Sequence, residues 1–277
     1  MKLDKFVLTY NGNKYREAKK LNFINVNDYD IIVEPFCGIF GLSRALLELN
    51  PDYKGEFWLN DIDTELIDFY KQIQAKDYSL IDEHTYPDTM TNKDLNGIIK
   101  GMRIPTLIYK FSIGNVCSTI RGVAKIKNFN ANKKDFETFL PKCKFSNQPC
   151  TDFIASLPKD KRILIFYDPP YLNSTNTEYT KYCEKNGMID GMRQTKDVTQ
   201  LYLDIADSFN GNPQWSHLLI INECALLHHL YKDYFREEYG KTYGVTFKST
   251  EGNGKCKATH RVYFREGVKN ESTQKQT

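Results

Sequence analysis

No apolar run approaches the roughly 18 to 20 residues that a membrane-spanning helix requires, so no membrane association is expected. The amino-terminal stretch MKLDKFVLTYNGNK lacks the apolar segment and small-residue cleavage site of a secretory leader, and a cytoplasmic location is expected. The seven cysteines (Cys37, Cys117, Cys143, Cys150, Cys183, Cys224 and Cys256) contain no C-x-x-C pair and make an odd total. That excludes a zinc-ligand pattern and a disulfide framework, and no metal is expected. Five histidines add no ligand set, because His228 and His229 are adjacent and point to different sides of the element that carries them. The fingerprint G-x-G-x-x-G is also missing, which argues against a dinucleotide cofactor.

A length of 277 residues with 40% hydrophobic content is enough for one sizeable core and a smaller appended lobe. The net charge of +3 identifies no partner, but its distribution is uneven. Between Tyr86 and Phe145 eleven basic residues stand against four acidic ones, a local surplus of seven that leaves the remainder at −4. A phosphate-binding lobe has this character, and so has a lysine-rich solvated surface.

Ile31-Ile32-Val33 reads as a short buried strand that stops at Glu34-Pro35, and Leu42 to Leu49 as a helix ended by Asn50-Pro51. Glu56 to Leu59 gives a second strand, followed by a helix from about Thr64 to Ile73. From about His84 to Pro149 the alternation is lost and clear strands are absent. It resumes with the apolar strand Arg162 to Tyr167, a polar loop from Leu172 to Lys196, a helix near Val198 to Phe209 and a strand at His217 to Ile221. Tyr243 to Phe264 resembles a β-hairpin turning at Glu251-Gly252-Asn253-Gly254. The pattern predicts an α/β fold built on a mainly parallel sheet. The expected organisation is a discontinuous core (1–83 and 150–265), an inserted lobe (84–149) and a frayed tail (266–277).

Chemistry concentrates in Asp168-Pro169-Pro170-Tyr171, directly after a buried strand. Two prolines fix φ at successive positions and remove two backbone donors, so a carboxylate, exposed carbonyls and an aromatic ring are presented where open α/β sheets bind ligands. Such a set suits an amino group on an aromatic ring, whose lone pair is delocalised. Acceptors at Asp168 and the Pro169 carbonyl strengthen their grip as positive charge develops on that nitrogen. A structural Pro-Pro turn with Asp168 as a cap is the plainer alternative.

A second feature is the turn Glu34-Pro35-Phe36-Cys37-Gly38-Ile39-Phe40-Gly41 between the first strand and helix, where glycine allows close backbone approach to a ligand. Asp61, 27 residues after Glu34, ends the second strand at a position suited to accept bonds from both hydroxyls of a ribose. The pair points to a nucleoside-containing ligand. Thr151-Asp152-Phe153 offers an adenine contact, or Asp152 a helix cap.

With these motifs in this order, glycine loop, acidic ribose contact, insert and D-P-P-Y, the chain resembles the Dam-like DNA adenine-N6 methyltransferases over about residues 8 to 171. The resemblance implies a Rossmann-like class I methyltransferase sheet flanked by helices, with a mainly helical target-recognition insert. It implies S-adenosyl-L-methionine as cofactor, DNA as partner, a monomer or homodimer, and base flipping followed by direct methyl transfer. Tyr10 and Lys14 would approach the cofactor, with Glu34, Phe36, Gly38, Asp152 and Phe153 around it and Asp61 on its ribose. Asp168, Pro169, Pro170 and Tyr171 would form the catalytic set, Asp168 also lying beside the cofactor and Tyr171 stacking on the base. Lys110, Ser112, Asn115, Arg121, Lys125 and Lys127 of the insert would reach DNA, Arg121 through a guanine edge or a phosphate. Three positions depart from the family pattern, the first being Tyr10, where Trp or Phe is usual. Asn13 and Phe40 stand where glycine is usual; Gly41 takes over by a one-residue shift, or cofactor affinity is reduced. Cytosine N4 or RNA as acceptor, and a methyltransferase-like DNA-binding protein without catalysis, are the alternative readings.

Overall fold

The computed structural model describes residues 8, 14–87, 89–99, 101–113, 116–120, 138–172, 198–249 and 252–268. Two compact units divide the chain, Met1–Phe153 and Ile154–Thr277. Among the described residues nine strands occur. Seven belong to a mixed sheet flanked by helices, the Rossmann-like class expected, and two pair with each other.

In the first unit, β1 (Ile31–Glu34) is buried along its whole length, and β2 (Glu56–Asn60) and β5 (Cys143–Ser146) follow beside it in the order β5-β2-β1. Both pairings are parallel, with Val33 opposite Trp58 and Trp58 opposite Lys144. Helix α1 (Gly41–Leu49) turns Leu42, Ala45 and Leu46 inward, and α2 (Thr64–Gln74) buries Leu66, Ile67, Phe69, Tyr70 and Ile73. The short helices α3 (Ser79–Glu83), α4 (Asn92–Ile98) and α5 (Arg103–Tyr109) follow, and then a separate antiparallel pair, β3 (Lys110–Ile113) with β4 (Val116–Ile120).

The segment 84–149 therefore carries three strands among its described residues, where none was expected, and mixes helix with strand. Its closing part is core: Phe139 and Leu140 are buried, and β5 is a strand of the main sheet. Four residues, Cys-Lys-Phe-Ser, are too few to display a period, which hid β5 from sequence reading. Helix α6 (Cys150–Ala155) comes next.

The second unit holds β6 (Ile163–Tyr167), α7 (Thr199–Gly211), β7 (Ser216–Asn222), α8 (Ala225–Tyr231), β8 (Phe235–Ser249) and β9 (Gly252–Arg265). The order is β6-β7-β9-β8, with β6 and β7 parallel and the last strand in sequence entering antiparallel beside β7. The hairpin starts at Phe235, eight residues before the expected Tyr243, because its first strand is rich in Glu, Lys and Tyr and shows no apolar alternation. Ser249 pairs with Gly252, and Gly252, Asn253 and Gly254, expected in the turn, are strand residues of β9; Glu251 lies outside the described residues. Residues 266–268 are not frayed: the Gly267 amide donates to Ser216 Oγ at 2.9 Å and the Val268 amide to the Pro213 carbonyl at 2.8 Å. No helix among the described residues is long and apolar enough to cross a membrane.

Candidate active site

The carboxyl ends of β1 and β2 place three carboxylates in the first unit. Glu34, the last residue of β1, is buried and accepts from the Ser43 backbone N–H at 2.8 Å and from the Ser43 hydroxyl. The amino end of α1 thus holds one of the chain's own acids. The turn between them is closed by the Cys37 N–H on the Asn60 carbonyl, and Gly38 adopts φ 46°. Phe40 also sits in the left-handed region, at φ 40°, and the chain accepts this strain in a buried phenylalanine. Its ring stacks on Phe139 at 5.2 Å and meets Tyr70 edge-on at 4.8 Å. The helix begins at Gly41 directly after it.

Asp61 is partly exposed. One carboxylate oxygen accepts from the Gly38 N–H at 2.9 Å and the other from the Asp63 N–H at 3.0 Å. Each oxygen has a second lone pair with which to accept a ligand's hydroxyl. Burial first, and then the neighbouring Asp63 charge, push its pKa up to about 6, against the lowering effect of the two amides and of Arg103. Asp63 is buried; one of its oxygens caps α2 through the Leu66 N–H at 3.2 Å and the other pairs with Arg103 Nε at 2.8 Å. Burial raises the Cys37 thiol and the Tyr70 hydroxyl, so both stay neutral near pH 7, and the Tyr70 hydroxyl donates to the Gly38 carbonyl at 2.6 Å.

Below this acidic rim, Asn60 joins three strand ends. Its Nδ2 donates to the carbonyls of Pro35 and Gln148, each at 3.0 Å, and its Oδ1 accepts from the Gln148 N–H at 3.0 Å.

Of the residues expected around the cofactor, Glu34, Gly38 and Asp61 converge in this way and Phe36 lies half-buried on the same turn. Lys14 is buried. Asp152 is exposed in the first turn of α6, and Phe153 is packed in the core. Tyr10, Asn13, Asn115, Arg121, Lys125 and Lys127 lie outside the described residues; Lys110 and Ser112 are in β3.

In the second unit, β6 is buried throughout and Asp168 follows its carboxyl end, partly exposed, with Pro169 buried and Pro170 and Tyr171 half-exposed. The Tyr202 hydroxyl, on α7, donates to the Pro170 carbonyl at 3.2 Å, and the Tyr231 hydroxyl, on α8, donates to the Tyr202 carbonyl at 2.6 Å. Burial, then Tyr171 and Asp168, raise the pKa of Tyr202, which keeps it a donor. The Tyr171 ring stands edge-on to His260 of β9 with centroids 6.4 Å apart. Deeper in this unit, Tyr167 of β6 contacts Ser208 at 2.9 Å and His217 Nδ1 at 3.1 Å, and His217 Nε2 reaches the Asn212 carbonyl at 3.0 Å. Because a carbonyl only accepts, Nε2 carries the proton and Nδ1 accepts from Tyr167.

Sequence reading missed Asp63, Arg103, Asn60, Tyr202 and His260. Asp63 before Thr64-Glu65-Leu66 had a legible cap signal. The others act through distant partners and had none.

No family model matches the chain, and no curated protein does. Among solved structures it is similar to the rRNA methyltransferase aviRa of Streptomyces viridochromogenes, at TM-score 0.41 and 11% identity over 93% of this chain and 89% of that one. It is also similar to the precorrin-6y C5,15-methyltransferase of Geobacter metallireducens, at TM-score 0.39 and 10% identity over 96% and 94%. A glycopeptide N-methyltransferase complexed with S-adenosyl-L-methionine gives TM-score 0.30 and 9% identity over 91% and 78%. With scores this low the likeness carries no argument, and the chemistry rests on the residues.

Proposed function

We propose that the chain transfers a methyl group from S-adenosyl-L-methionine to the exocyclic N6 of adenine in DNA, the base being flipped out of the duplex. The observation that carries the reading is Asp168-Pro169-Pro170-Tyr171 at the carboxyl end of the fully buried strand β6, with Asp168 partly exposed and the Pro170 carbonyl held by Tyr202. Support for a nucleoside cofactor comes from the first unit, where Asp61 offers both carboxylate oxygens beside the Gly38 turn. The residues fit such a cofactor: the carboxylates favour its cationic sulfonium, and an acid suits its ribose.

When bound, the cofactor supplies a methyl group on a good leaving group, so no protein nucleophile is needed. Asp61 orients the ribose. Asp168 and the Pro169 carbonyl accept from the target amino group, bonds that tighten as its nitrogen becomes positive, and Tyr171 lies against the base. The basic insert engages the phosphates.

The test is incubation with labelled S-adenosylmethionine and unmethylated DNA, followed by nucleoside analysis. Label in N6-methyldeoxyadenosine is expected, and Asp168→Ala should lower turnover about a hundredfold or more while cofactor binding persists. Unchanged turnover in that variant would sink the reading. Label in N4-methyldeoxycytidine or in RNA would move the acceptor, and DNA binding without cofactor binding would favour a non-catalytic protein.

A further inference from the structure

Asp61 and Asp63 stand two residues apart, and the Asp63 N–H donates to the Asp61 carboxylate at 3.0 Å. Two acids this close repel, and Asp63 is the more deeply buried of the two. Its side chain is committed on both oxygens, to the Leu66 N–H at the start of α2 and to Arg103 Nε at 2.8 Å. Arg103 is the first residue of α5, 40 positions away, in the segment that sequence reading assigned to target recognition. Its side chain is 15% exposed and that of Asp63 3%, so the pair is largely shielded from water and the charge compensation is strong.

We propose that Arg103 is a positioning residue that, by neutralising Asp63, keeps the Asp61 carboxylate an anion ready to accept the hydroxyls of a bound nucleoside. The inference rests on the reading of Asp61 as the ribose acceptor. The groups facing Asp61 are Asp63 at the cap of α2, Arg103 from α5, Cys37 from the turn after β1, and Tyr70 from α2. Cys37 and Tyr70 are neutral near pH 7, which leaves Asp63 and Arg103 as the charges that set its ionisation. Removing Arg103 exposes Asp61 to an uncompensated negative neighbour, and Asp61 takes up a proton at pH values where the intact protein holds it ionised.

The experiment has two readouts. The first is the titration of the Asp61 side-chain carboxyl carbon by NMR in the ligand-free protein. Its midpoint should rise by roughly one to two pH units in Arg103→Met and return in Arg103→Met/Asp63→Asn, because asparagine keeps the α2 cap without the charge. The second is calorimetric binding of S-adenosylhomocysteine. Affinity of Arg103→Met should fall roughly two- to tenfold at pH 7 and recover by about pH 9, where Asp61 is ionised in both proteins. A loss equal at all pH values would mean that Arg103 only anchors α5, and an unmoved midpoint would overturn the proposal outright. Asp63→Asn alone should lower the midpoint, and it decides the matter if Arg103→Met does not fold. Wild-type protein that fails to bind S-adenosylhomocysteine while the midpoint moves as stated would refute the cofactor reading and uphold the Arg103 coupling.

Discussion

Phe40 holds a conformation that L-residues resist by roughly 1–2 kcal/mol, and it does so at a place where the turn expected from the sequence calls for glycine. The backbone requirement was legible in the motif; the side chain that meets it was not explicable until Tyr70 and Phe139 were seen against its ring. Burial decides the balance. Removing a buried phenylalanine costs about 3–5 kcal/mol, so Phe40→Gly should be destabilising by roughly 1–4 kcal/mol despite the relief of strain. Urea denaturation reads this directly, and a higher midpoint in the variant would show that strain outweighs packing. Asp61 and Gly38 could be paired from sequence because strand ends and glycine turns have fixed places in α/β folds. Arg103 could not, since its partner lies 40 residues back and nothing local to α5 announces it.

Among elements, the runs that a sequence displays are those covered on both faces. β1, β6 and β7 are nearly continuous apolar stretches, α2 and α7 bury one stripe each, and α1 is buried all round from Gly41 to Leu47 with Leu42, Ala45 and Leu46 at helical spacing, so all six were readable. β5 and β8 carry lysine, glutamate and glycine and take their strand character from their neighbours, as context-dependent β-propensity allows. One amide side chain bridges the ends of β1, β2 and β5. Asn60→Ala would leave the Pro35 carbonyl and both Gln148 backbone groups without that partner, at about 1–3 kcal/mol for each group left unsatisfied. The Gln148 amide should exchange with solvent faster by more than the global loss of stability explains. Equal acceleration at Ile32 and Gln148 would refute the local role.

At the scale of the whole molecule, one group in each unit responds to acid, and the two respond in opposite senses. Burial lowers the pKa of His217 from 6.5 to about 4, so the folded second unit refuses a proton that the unfolded chain accepts. The contribution of His217 to stability is complete above pH 6.5 and declines as pH falls towards 4, by about 2 kcal/mol at pH 5. Asp61 in the first unit behaves inversely. Its folded pKa of about 6 exceeds the ordinary 3.8, so the folded state binds the proton first and gains as pH drops through 6. The chain's two tryptophans report separately, Trp58 from β2 and the buried Trp215 just before β7. In a Trp58→Phe background, the unfolding midpoint followed by Trp215 should fall between pH 7 and pH 5, and His217→Asn should abolish most of that dependence. A midpoint insensitive to pH would show that His217 is not held neutral.

Glu34 lends the amino end of α1 an anion of its own through Ser43, and Asp61 adds a second carboxylate at the neighbouring strand end, where Asp63 is already paired with Arg103. Many α/β proteins leave that helix end to the phosphates of a visiting nucleotide. Here an incoming pyrophosphate would meet like charge on arrival. On the function proposed above, these carboxylates would turn away phosphorylated nucleosides and admit one whose charge near the reacting atom is positive.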